Sequence, residues 1–198
     1  MRVLSIIWLI FLFSIPLWMT DQYFLHILIS TGIFTIAAMS LNLLLGYTGQ
    51  LSLGHVAFFG IGAYVSALMS VGFDIKVSAS YTFVFGMKPV WISFLTGTVV
   101  AGLFGWLIGR LSFKVRGAYF VIVTISFAEV IRLISLNWID LTEGPMAINN
   151  IPPFTLGIPG YWTSTLYQKL PNYYIMLIVA VLCYIIINRL VNSRAGRA

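Results

Sequence analysis

The chain alternates long apolar runs with short polar intervals, and the run lengths decide the first reading. A helix rises about 1.5 Å per residue, so crossing a bilayer core takes roughly 20 mostly apolar residues, with a range of about 17–25. Six runs reach or approach that length: Val3–Met19, Tyr23–Leu45, Val56–Gly72, Val90–Gly109, Gly117–Trp138 and Tyr173–Asn188. The pattern predicts an all-α polytopic membrane protein with about six transmembrane helices. A cleaved signal peptide is the rival reading of the first run. The stretch Ile15-Pro16-Leu17-Trp18-Met19 offers no small-x-small cleavage site, which favours a retained span. The sixth run is short unless flanking residues extend it.

The second and third runs are separated by a glycine-rich interruption. The stretch Leu41–Tyr64, LNLLLGYTGQLSLGHVAFFGIGAY, carries Gly46, Gly49, Gly54, Gly60 and Gly62, with Thr48, Gln50, Ser52 and His55 among them. Glycine weakens helices, and polar groups are costly in lipid. Non-helical backbone at membrane depth persists only where protein buries it or where it lines a wet cavity. Gly46–His55 therefore reads as a break between two helices that faces a path. A glycine-rich turn at the membrane surface is the plainer alternative.

Composition sharpens the class. Of 198 residues, 60% are hydrophobic and 8% charged, with a mean hydropathy of +0.99, whereas soluble domains are about 25% charged. The single cysteine, Cys183, excludes an internal disulfide and says nothing of redox compartment. The net charge of +6 does not point to nucleic acid, because the basic residues are spread thinly between apolar blocks. They follow the positive-inside rule instead. Arg110, Lys114 and Arg116 lie between the fourth and fifth runs with no acid nearby, and alternation puts Arg2, Arg189, Arg194 and Arg197 on the same side. Lys76, Lys88 and Lys169 fall on the other side with Asp21, Asp74, Asp140 and Glu143. Both termini are then cytoplasmic. The loop Ile139–Pro171 is external and holds five of the seven prolines. A rigid loop of that length either docks a partner or caps the bundle.

Two further patterns carry candidate roles. Gly97, Ala101, Gly105 and Gly109 recur every four residues, which lets a neighbouring helix approach closely. Glu129 and Arg132 share a helix face three residues apart, with Ser126 on the same arc. Glu129 is the only acid inside any predicted span. An intramembrane carboxylate is a functional-site hypothesis by default, and an ion pair that fixes helix orientation is the structural alternative. Enzyme signatures are missing: there is no GxxxxGK[ST] phosphate loop and no HExxH pair, and His26 and His55 have no acidic neighbours. No catalytic residue, cofactor or metal is predicted.

At this point the residues carry a resemblance. LNLLLGYTGQLSLGHVAFFGIGAY resembles the signature of the LivM-like permeases of branched-chain amino-acid ABC transporters. A second block, Arg116–Pro153, RGAYFVIVTISFAEVIRLISLNWIDLTEGPMAINNIPP, resembles that family's other motif at the expected distance downstream. The resemblance implies a permease subunit that pairs with a second, related permease in a bacterial or archaeal cytoplasmic (inner) membrane. Two cytoplasmic ATP-binding subunits would drive it, and a periplasmic substrate-binding protein would deliver leucine, isoleucine, valine or a similar solute.

It also implies a translocation path that includes Gly46, Gly49, Gln50, Ser52, Gly54 and His55, with Glu129 and Arg132 in an FAExxRL stretch that Ser126 immediately precedes. The tail residues Arg194, Gly196 and Arg197 resemble the approach to an ATPase-facing coupling segment. On that comparison residues 1–198 form a single permease domain that is incomplete at its C-terminus. Two features depart from the family pattern: Glu143 stands where glycine is expected, and Ala147-Ile148-Asn149 replaces a glycine-leucine pair. A permease for urea or another small amide shares the overall pattern. A secondary transporter using Glu129 is a second alternative, but no second copy of GYTGQLSLGH marks an internal repeat. A purely structural subunit is the third.

Overall fold

The computed structural model describes residues 12–16, 21–78, 81–112, 117–153, 155–158, 162–165 and 169–193. Most of the first predicted span lies outside the described residues, as do Lys114, Arg116, Arg194, Gly196 and Arg197. The chain divides into two compact units, one formed by Met1–Leu43 with Leu166–Ala198 and the other by Leu44–Thr165.

The first unit pairs helix α1, Gln22–Asn42, with the last helix, Lys169–Val191. Asp21 starts α1 by accepting a hydrogen bond from the backbone N–H of Tyr23 at 3.1 Å, the usual way to satisfy an orphan amide at a helix start. Gly32 admits the Met176 side chain against the α1 backbone, where a Cβ would overlap its sulfur. Tyr173 is buried and donates to the Leu12 carbonyl at 2.8 Å, and the Phe13 and Tyr174 rings meet at 5.0 Å. Lys169 Nζ donates to the Gln22 carbonyl at 3.1 Å. The last helix is longer than the apolar run Tyr173–Asn188, and it takes Pro171 into its first turn. Proline is tolerated there because the first amides of a helix have no partner within it.

In the second unit, a π-helical turn at Leu43–Tyr47 leads through irregular chain to α2, His55–Val71. A hairpin of β1, Phe73–Ser78, and β2, Tyr81–Phe85, connects α2 to α3, Val90–Ser112. Helix α4, Ala118–Asn137, follows, then the single turn α5, Ile139–Thr142, and a 3₁₀ turn at Gly144–Met146. A second hairpin, β3 (Thr155–Ile158) with β4 (Trp162–Thr165), occupies part of the loop read as external. With α6 naming Lys169–Val191, the spanning part is all-α, and both hairpins lie in connections. Neither hairpin is among the predicted elements. The first is legible in hindsight, because Phe73, Ile75 and Val77 alternate with Asp74, Lys76 and Ser78 at the period of a strand.

Among the described residues, four helices are long and apolar enough to cross a membrane: Gln22–Tyr47, Val90–Ser112, Ala118–Asn137 and Lys169–Val191. His55–Val71 is apolar but shorter, at 17 residues. The chain is an all-α polytopic membrane protein. Its outward side chains agree with that class: Phe34, Val56, Leu103, Trp106 and Ile186 are all exposed. The buried positions include small hydroxyl residues such as Ser70 and Ser93, whose Oγ atoms donate to Ala67 and Pro89 carbonyls of their own segments. Small residues at helix contacts bring backbones close enough for dispersion to hold them where water provides no drive.

One of these crossings joins α2 to α3 at Gly62 and Gly97. A Cβ added at Gly97 would lie 2.7 Å from the Gly62 carbonyl oxygen and 3.1 Å from the Ser66 Cβ. Only part of the four-residue ladder serves this contact, because no described heavy atom lies within 4 Å of a Cβ added at Gly105. Gly97→Ala is therefore expected to destabilise the second unit by about 1–3 kcal/mol through overpacking. Gly105→Ala should be neutral or stabilise slightly. Unfolding of the two variants by denaturant in detergent micelles checks the contrast.

Candidate functional site

The predicted break is present, and its geometry follows from its residues. After α1 the backbone widens into the π-helical turn Leu43–Tyr47. Thr48 Oγ1 donates to the Leu44 carbonyl at 2.5 Å, and the Gln50 N–H reaches the same carbonyl at 3.3 Å. That carbonyl thus ends the helix with a wide turn. Gly49 follows with φ of 67°, a left-handed conformation that glycine adopts without the penalty of a Cβ. Residues 49–54 then run without regular structure until Gly54 opens α2 with no side-chain cap.

Gly54 fixes where the break sits. A Cβ added there would overlap the carbonyl oxygen of Thr124 on α4. The obstacle is backbone, which cannot rotate away. One turn further along each helix, the Phe58 and Phe127 rings meet with centroids 5.2 Å apart. Thr124 is itself buried and donates through Oγ1 to the Val121 carbonyl at 3.0 Å. The start of α2 is thereby held on α4 by one glycine contact and one ring contact. Sequence reasoning passed over Thr124, whose only signal was a hydroxyl in an apolar helix.

The predicted residues of the break differ in environment. Gly46 and Gly49 are exposed, Ser52 and Gly54 are buried, and Gln50 and His55 lie between. The Gln50 side-chain carbonyl oxygen is shielded from solvent and has no hydrogen-bond partner among the described residues. A buried acceptor left in that state costs stability unless a donor arrives from water, a ligand or a neighbouring chain.

Ser126, Glu129 and Arg132 occupy another face of α4. Glu129 is five residues beyond Thr124, about 140° around the helix at roughly 100° per residue. Within the described residues, the fold does not bring this group to the break. Arg132 Nε donates to Glu129 Oε2 at 2.9 Å and Nη2 donates to Oε1 at 2.6 Å, a two-pronged ion pair. Both side chains are more than half exposed, at 58% for Arg132 and 52% for Glu129. Each charge is matched by the other. Among the described residues, no group of three His, Cys, Asp or Glu side chains is placed to hold a metal.

Comparison with known proteins bears on this arrangement. Residues 23–198 match the family described as branched-chain amino acid transport system / permease component. The chain is 31% identical over 186 residues to the high-affinity branched-chain amino acid transport system permease protein LivM of Escherichia coli (strain K12). The corresponding LivM of Salmonella typhimurium is 29% identical over 186 residues. Each comparison covers 85% of this chain and 41% of the relative, so the chain spans about two fifths of their length. No solved structure matches. The helix break, the exposed apolar helices and the family match over nearly the whole described chain converge: this chain belongs to the permease family of branched-chain amino-acid transport systems.

Proposed function

We propose that the chain is part of a membrane-spanning subunit of an ABC importer, where it helps form the translocation path for branched-chain amino acids. The observation that carries this reading is the break itself: the irregular segment 49–54 lies between apolar helices and is seated on α4 by Gly54. Backbone in that state within a membrane protein needs a protein wall or a wet path. Gly46, Gly49, Gln50, Ser52, Gly54 and His55 are the path-lining candidates. The subunit would pair with a second, related permease. Two cytoplasmic ATP-binding subunits would hydrolyse ATP, and a periplasmic binding protein would deliver the solute. The chain would then lie in the inner membrane with both termini cytoplasmic, and it would carry out no catalysis of its own.

The Glu129–Arg132 pair argues against the secondary-transporter alternative. A coupling carboxylate needs to gain and lose a proton or ion, whereas both oxygens of Glu129 are engaged by one guanidinium. The pair suits a positioning role on α4, which keeps two charges neutralised at a membrane-embedded helix face.

Two experiments follow. In cells lacking other branched-chain amino-acid uptake and supplied with the companion subunits, ATP-dependent uptake of labelled leucine is expected. Gly54→Ala should sharply reduce it, while Gly60→Ala, where no described heavy atom lies within 4 Å of the added Cβ, should leave it near the unsubstituted level. Uptake of urea in place of leucine would move the substrate to the amide class. For the ion pair, Glu129→Gln is expected to lower the amount of assembled protein because it strands Arg132. The double substitution Glu129→Gln, Arg132→Gln should restore both protein level and transport. Recovery of level without transport would place Glu129 in the path.

A further inference from the structure

The break between α1 and α2 leaves an acceptor and a donor unmet two positions apart. Gln50 holds the acceptor: its side-chain carbonyl oxygen is shielded and has no partner among the described residues. Ser52 holds the donor. It is only 4% exposed, yet neither its hydroxyl nor its N–H makes a hydrogen bond among the described residues. Hydroxyls elsewhere in the spans behave differently. Those of Thr31, Ser70, Thr98 and Thr124 each donate to a carbonyl one turn back in their own helix. Ser52 has no such carbonyl, because the chain before it is irregular.

The surroundings place the two groups together. Exposure alternates along the segment, with Gln50 and Ser52 covered and Leu51 and Leu53 exposed, so Gln50 and Ser52 share one side of the chain. Just beyond them, Gly54 opens α2 with no side-chain cap. The first amides of that helix lack partners within it, and its positive end favours an anion. These features select a ligand. An α-amino acid carries an ammonium and a carboxylate on one carbon, and it matches acceptor and donor at once. Both hydrogen bonds are then charge-assisted, which makes them the stronger kind. A neutral solute such as urea meets the same groups without that gain.

We propose that Gln50 and Ser52 form a recognition point for the amino-acid zwitterion, in which Gln50 Oε1 accepts from the ammonium and Ser52 donates to the carboxylate. This rests on the path reading given above and adds which groups select the solute. In the state described both groups are covered, so the solute reaches them only when the break opens.

The test uses the chain assembled with its companion subunits in lipid nanodiscs, without the binding protein. Ligand-observed NMR titration compares leucine with 4-methylpentanoate, which lacks the ammonium, and 3-methylbutylamine, which lacks the carboxylate. Titrations are run without ATP and with nucleotide trapped by vanadate, since opening differs between those forms. In at least one form leucine should bind about tenfold more tightly than either probe, the size of a hydrogen bond to a charged group. Gln50→Met removes the acceptor at nearly constant length. It should weaken leucine and 3-methylbutylamine about tenfold and spare 4-methylpentanoate. Ser52→Ala should do the converse, weakening leucine and 4-methylpentanoate and sparing 3-methylbutylamine. Gln50→Glu, which keeps an acceptor, should hold 3-methylbutylamine. No leucine binding in either form, equal binding of all three compounds, or an equal loss of every compound in both variants would overturn the proposal. Uptake measured alongside separates this from the path reading. Leucine uptake without the crossed pattern of losses leaves the path standing and overturns the recognition point. The crossed pattern without uptake supports the recognition point and overturns the path.

Discussion

In lipid, a backbone amide or carbonyl that leaves a helix must find a partner from protein or water, because the hydrocarbon supplies none. The second unit is arranged around that constraint. Where α1 ends, one carbonyl, that of Leu44, accepts from both Thr48 and Gln50. Where α2 begins, Gly54 presses against the Thr124 carbonyl of α4 so closely that no side chain fits between them. The irregular residues between these two points are therefore held at both ends, which allows a break to persist without melting its neighbours. The residues that make the segment polar, Gln50 and Ser52 among them, then have a fixed wall behind them.

The same logic runs through the rest of the described chain. Glycine serves close approach at Gly32, Gly54 and Gly97, each at a different helix crossing, and the small hydroxyls bond back to their own segments. Charge is handled similarly. The ionic groups within α4 neutralise each other through two hydrogen bonds. Outside the spanning helices, Asp74, Asp140 and Glu143 gather around one opening at the end of α2. The basic residues of the other spanning helices, Arg110, Lys169 and Arg189, stand at helix ends.

Much of this was legible in the sequence because the bilayer enforces a length rule and a polarity rule at once. The bounds of α1, α2, α3 and α4 fall within a few residues of the apolar runs. The glycine-polar cluster marked the break for the same reason. What escaped reading depended on three-dimensional neighbours. Thr124 is one of several hydroxyl residues in α4, and only the fold sets Gly54 against its carbonyl. The four-residue ladder in α3 suggested one continuous contact, yet Gly97 packs on α2 and Gly105 does not, since helices crossing at an angle meet over only a turn or two. The spacing of Glu129 and Arg132 fixed their pairing, but only the packing of α4 placed them away from the break. The first hairpin sits between two spans, and the alternation of its first strand runs for only 6 residues, too short to stand out beside the apolar runs.

The central claim is that the segment after Gly49 faces a path wet enough to carry solute. A single cysteine at Gln50, in an otherwise cysteine-free chain assembled with its companion subunits, tests it most directly. The account predicts reaction with a small charged thiol reagent in the folded protein, slowed when leucine and the binding protein are present. A cysteine at Ser93, buried within the second unit, should stay unreactive under the same conditions. A Gln50 cysteine that reacts only after unfolding, or reacts at a rate that leucine and the binding protein do not change, would contradict the account.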